Sequence, residues 1–102
     1  NFVKAASELT RQRGELAAAT FDLWALECLQ AKTTSWTRST SLYQHYKRWL
    51  INGGSGQNRV ERAEVNSAVL SNRKWGIIMH MRFVRSRDGR GHKYQVTIKG
   101  GA

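Results

Sequence analysis

Between Arg87 and Arg90 the chain reads Arg-Asp-Gly-Arg, and Asp88-Gly89 is the pair that a two-residue type I′ hairpin turn prefers, because both central positions need positive φ. Centring the turn there pairs Arg87 with Arg90 and predicts a register. Phe83 falls opposite Tyr94, Met81 opposite Val96 and Met79 opposite Ile98, so these large apolar side chains share one face. The other face carries Ile78, His80, Arg82 and Val84 against Lys99, Thr97, Gln95 and Lys93. A slip by one residue would scatter the apolar set over both faces. The segment after Gly76 is therefore expected to lie as a two-stranded ribbon with one side on a core and a solvent-exposed, basic tip.

Upstream, the apolar residues recur with a helical period. Residues 1–19, rich in alanine and charge and interrupted by Gly14, read as a linker or frayed segment, and residues 20–102 as the domain. A first helix runs from about Glu15 or Thr20 to Lys32, with Phe21, Ala25, Cys28 and Leu29 on one stripe and Leu23, Trp24 and Leu26 widening it. Such a helix is either buried at the centre of the domain or meets a second subunit or neighbouring domain with its spare side. After a short extended piece, Thr37 to Ser41 supply N-cap residue types for a second helix. Its inner stripe is Leu42, Tyr46, Trp49 and Leu50, with Gln44, Lys47 and Arg48 turned away. The glycines of Asn52 to Gln57 stop it. Asn58 and Glu61 resemble a capping box and start a third helix, with Val65, Ala68 and Val69 inside and Arg59, Arg62, Ala63, Asn66 and Ser67 outside. Arg73 and Lys74 stand at its C-terminal end.

The charge is one-sided. Lysine and arginine number 17 against 7 acidic residues, a net +10, which favours a polyanionic partner and nucleic acid first. No apolar run approaches the roughly 18 residues of a membrane span, so no membrane partner is expected. The single Cys28 has no partner for a disulfide or a zinc site, which fits a reducing cytoplasm. His45, His80 and His92 form no metal pattern, the Asn52–Gln57 glycines are not a phosphate loop, and no acidic cluster stands ready for two-metal chemistry. The expectation is therefore no metal, no cofactor and no catalytic residue. Tyr43, Tyr46, Trp36, Trp49 and Trp75 either stack on unpaired bases or fill a core, and the stripe positions of Tyr46 and Trp49 favour the core. No signal peptide is visible, and a chain that begins at Asn1 rather than methionine is expected to be a piece of a larger protein.

Three helices followed by a β-hairpin, with a short turn between the second and third helices, is the order of a winged helix-turn-helix, an α+β fold. In that arrangement the third helix enters the major groove and the hairpin, or wing, follows the backbone or minor groove. Arg59, Arg62, Asn66 and Ser67 would then face base edges, since arginine suits guanine O6 and N7 and asparagine suits adenine N6 and N7. Arg73, Lys74 and the wing cations Arg85, Arg87, Arg90, His92 and Lys93 would neutralise phosphates. Both sets also fit an ordinary wet surface. The wing favours the functional reading because Asp88 is the only acid after Glu64. The expected partner is double-stranded DNA, bound in a sequence-specific way. A homodimer through the first helix and a regulatory protein are further expected partners. The alternatives are a protein-interaction or loading module whose basic face meets an acidic partner, and a nonspecific RNA or single-strand binder.

The stretches "LYQHYKRWLINGG" at 42–54, "VNSAVLSNRKWG" at 65–76 and "RDGRGHKYQVTIKG" at 87–100 resemble the C-terminal winged-helix region of phage and poxvirus-type primase-helicase replication proteins. Within that group the likeness is greatest to the alpha-type replication proteins of satellite coliphages. It covers about residues 36–100, mainly core positions and the wing. The resemblance implies an origin-recognition domain whose parent carries primase and helicase activities and works in the cytoplasm of a bacterial host. The "NGGSGQ" turn lacks the proline more usual there, and the wing tip is more basic than in many relatives.

Overall fold

The computed structural model describes residues 17–55, 58–59 and 65–99 as a mixed α+β arrangement of helices and small antiparallel sheets. Helix α1 covers 17–28, taking in residues 17–19 that the sequence places with the linker, and it buries Phe21, Trp24 and Cys28. It ends before the expected Lys32, because Leu29–Gln30 form strand β1 and pair with strand β7, Thr97–Ile98. Lys99 closes the helix end: its backbone N–H donates to the Cys28 carbonyl at 2.7 Å and its ammonium to the Leu26 carbonyl at 3.1 Å. Both would otherwise be unpaired helix-terminal acceptors, and a cation suits the negative end of the helix dipole.

Strand β2, Thr37–Arg38, leads directly into helix α2, Ser39–Ile51. The N-cap is Arg38, without a side-chain cap, rather than one of the expected Ser/Thr residues. The sheet claims Thr37, whose hydroxyl donates to the Val96 carbonyl at 2.6 Å. The α2 stripe is as the spacing predicts: Leu42, Tyr46, Trp49 and Leu50 are buried.

The third helix does not start at Asn58. Gly54–Ser55 and Asn58–Arg59 form strands β3 and β4 of a small hairpin, entered through positive φ at Gly53 (80°) and Gly54 (78°), a conformation that glycine adopts freely. Glu61, the other half of the expected capping box, lies outside the described residues. Helix α3 is described over Val65–Ala68, and the inner stripe holds, with Ala68 buried and Val65 and Val69 packed against the core.

A further helix, α4, spans Asn72–Arg82, where alternation predicts the first strand of the ribbon. Trp75, Ile78, Met79 and Arg82 follow a helical spacing as well as Met79, Met81 and Phe83 follow an alternating one. Packing decides: Trp75 and Met79 are fully buried as helical neighbours. The predicted pairings of Met79, Met81 and Phe83 therefore do not form. The hairpin is shorter, with strand β5 at Arg85–Asp88 and strand β6 at Gly91–Tyr94, in the register Arg85↔Tyr94 to Asp88↔Gly91. It is shifted by two residues from the expectation, which preserves the faces, so Tyr94 and Val96 are still buried. The turn residues are Gly89 and Arg90, neither with positive φ, which excludes type I′; the positive φ falls on Gly91 (117°). Asp88 accepts the Arg90 N–H at 2.8 Å, and this side-chain-to-backbone bond holds the turn. Strands β2, β6 and β5 make one three-stranded sheet with β6 in the middle.

The core is aromatic at its centre. Trp24 packs against Phe21 (5.6 Å), Tyr46 (5.2 Å) and Trp75 (6.5 Å), and Trp75 meets Tyr43 (5.1 Å) and Tyr94 (6.3 Å). Edge and tilted ring contacts of this kind add to the burial energy of each side chain. Trp75 thus ties α4 to α1, α2 and the hairpin at once. Among the described residues no helix is long and apolar enough to cross a membrane.

Candidate nucleic-acid interface

Two tyrosines of α2 set the approach of α4. Tyr43 donates to the Leu70 carbonyl at 2.8 Å, and Tyr46 donates to the Ala68 carbonyl at 3.0 Å while accepting the Leu70 N–H at 3.3 Å. These bonds satisfy the buried backbone of the α3–α4 turn and fix the angle between α2 and α4. Burial pushes the Tyr46 hydroxyl up to about 12, so it stays a donor. Ser71 then starts α4 as an N-cap, accepting the Lys74 N–H at 3.3 Å.

With Trp75 and Met79 inward, α4 turns Asn72, Arg73, Gly76, Ile77 and His80 toward an open groove of about 880 Å³. Its other walls are Arg38, Ser39 and Thr40 at the start of α2, and Arg90, Gly91, His92 and Tyr94 of the hairpin. The first turns of α2 and α4 contain no acidic residue, so neither helix dipole is neutralised from within its own first turn. Tyr94, which lines the groove, is pushed up by burial.

Among the described residues, the one acid beside this groove, Asp88, is already engaged. Arg38 holds Asp88 through two bonds of 2.8 Å, a forked geometry that braces the hairpin tip against the start of α2. The Arg38 guanidinium and the Arg90 N–H lower the Asp88 carboxyl to about 2. Along the same groove, the exposed His80 lies 3.2 Å from the Arg85 guanidinium and its ring sits 5.4 Å from His92. Burial, then Arg85, then His92 push His80 below its ordinary value, which favours the neutral ring.

Of the residues expected from sequence, Arg73, Arg90 and His92 line the groove. Lys74 is exposed on the first turn of α4, Arg87 is exposed opposite His92, and Arg85 contacts His80. Lys93 points elsewhere, its ammonium lying 5.6 Å from the centre of the Trp36 ring. Arg59 is on β4 and Asn66 and Ser67 are on α3, with side chains outside the description, and Arg62 lies outside the described residues altogether. The helix beside the hairpin is α4 rather than a segment starting at Asn58. Arg38, Ser39, Thr40, Asn72, Gly76, Ile77 and His80 escape the sequence reading. Ser71 followed by the Trp75–Ile78–Met79–Arg82 spacing is the signal that locates the α4 members.

Comparison with protein-family models, with curated proteins and with solved structures finds no match for the chain.

Proposed function

We propose that this chain is a winged-helix domain that binds duplex DNA sequence-specifically, as the origin-recognition part of a phage primase-helicase. The observation that supports duplex binding is the groove in which α4, the start of α2 and the β5–β6 wing converge, lined by Arg73 and Arg90, with its neighbouring acid neutralised by Arg38. In this reading α4 lies in the major groove. Asn72 and Arg73 carry the donor sets suited to adenine and guanine, and Lys74, Arg85, Arg87 and Arg90 meet phosphates. Tyr46, Trp49 and Trp75 are buried in the core, which removes them as stacking platforms, whereas Trp36 is 40% exposed and is not a core residue. The word "origin" comes from the resemblance of residues 42–54, 65–76 and 87–100 alone. The domain itself is assigned binding rather than catalysis, in the cytoplasm of the host cell. A second copy would dock through the outer side of α1, where Leu26 is 74% exposed.

The test is fluorescence anisotropy with a duplex carrying the repeats of the cognate origin, a scrambled duplex and a single strand. At about 150 mM salt, where nonspecific binding is weak, the repeat should be preferred by roughly a thousandfold. Arg73→Ala should lower that preference. Equal binding to all three probes would overturn specific recognition and the origin assignment together.

A further inference from the structure

We infer that α4 makes its closest approach to DNA at Gly76 and Ile77, and that the step contacted there contains thymine, whose methyl group packs on Ile77. This rests on the duplex reading above and names the base that this face of α4 takes.

Gly76 sits in the middle of an eleven-residue helix, where glycine is among the poorest residues. Its φ is not positive, so the backbone does not call for glycine. Nor does packing: a Cβ at this position would meet no atom within 4 Å beyond the local helix backbone and chain neighbours. Among the described residues, neither backbone conformation nor packing accounts for the missing side chain. The space it leaves opens into the groove, and it suits a surface that arrives from outside and comes close to the α4 backbone.

Ile77, the next residue, is 52% exposed in the same groove, and Met81 one turn later is 80% exposed. Ile77 is the apolar side chain that α4 turns into the groove, beside Asn72, Arg73 and His80, and Met81 continues it along the helix outside the groove lining. The surrounding cations, with Asp88 already neutralised, commit the occupant to a nucleic acid rather than an apolar protein helix. On a nucleic acid, the apolar group presented at a base edge of the major groove is the C5-methyl of thymine. RNA carries no such methyl on its standard bases and hides its major groove, so DNA is the match.

The experiment begins with selection from a randomised thymidine-containing duplex of roughly 20 base pairs, about two helical turns. The enriched duplex is then remade with deoxyuridine for thymidine, which removes only the methyl groups. Each contacted methyl should be worth about a fourfold loss of affinity, and Ile77→Ala should bind the two duplexes alike. Gly76→Ala should raise Tm by roughly 4–8 °C, as a helix-favouring change, while weakening binding of the enriched duplex at least tenfold.

Tight binding that ignores the deoxyuridine exchange, or an enriched sequence without thymine, would overturn the thymine contact and leave the duplex reading standing. A Gly76→Ala protein with unchanged affinity would remove the close approach, and one with a lowered Tm would show that the fold itself needs glycine. Failure to enrich or bind any duplex would instead defeat the underlying reading.

Discussion

Trp24 gives its indole N–H to Nδ1 of His45 at 3.0 Å, and that bond exists only while Nδ1 carries no proton. Burial first and then the Arg48 guanidinium push His45 below its ordinary 6.5. The unfolded chain therefore binds this proton more readily than the folded one. The resulting stability is whole above about pH 6.5 and is lost as pH falls through that value toward the lower folded one. A Tm profile from about pH 7.5 down to about pH 5 should slope downward. His45→Gln offers an acceptor that does not titrate and should flatten part of that slope; an identical slope in the variant would assign the effect to other groups. At this scale the sequence revealed stripes but not partners. Leu42, Tyr46, Trp49 and Leu50 announce burial by spacing alone, whereas the Trp24–His45 and Arg38–Asp88 bonds join residues far apart in the chain, which only the fold brings together.

Helix α4 depends on a single residue for its start. Ser71 accepts the Lys74 N–H, and the turn it secures carries Asn72 and Arg73 into the groove. Ser71→Ala should cost about 1 kcal/mol in urea denaturation and should weaken duplex binding through fraying of that turn, while Ser71→Thr should restore much of both. Equal stability of wild type and Ser71→Ala would show that packing of Trp75 alone holds the helix end. The same helix marks where the sequence is ambiguous. Residues 75–83 satisfy both periods, and burial of Trp75 and Met79 together decides between them. The hairpin shows a related limit. Apolar alternation sets which face is inward, but a shift of two residues leaves that pattern intact, and the Asp88–Arg90 side-chain bond selects the register.

For the molecule as a whole, a net charge of +10 guarantees affinity for any polyanion, so affinity alone does not locate the interface. The salt dependence does. Arg73 and Arg90 line the groove, and Lys74, Arg85 and Arg87 stand on α4 and the hairpin beside it, whereas Arg38 is occupied by Asp88. With Arg73 at a base edge, the other four as phosphate contacts correspond to a slope of log K against log salt of about −3.6, or a loss of roughly 150-fold between about 50 and 200 mM. Arg87→Ala should make that slope shallower by about one. Asp88→Asn retains an acceptor for the Arg90 N–H but frees the Arg38 guanidinium, so it should steepen the slope by about one. Lys32→Ala, at an exposed position that does not line the groove, should leave it unchanged. Opposite shifts from the two wing variants, with none from Lys32→Ala, place the phosphates at the wing. Equal shifts from Arg87→Ala and Lys32→Ala would mean that DNA meets the basic surface without a fixed orientation, and sequence-specific recognition through α4 would fail with it.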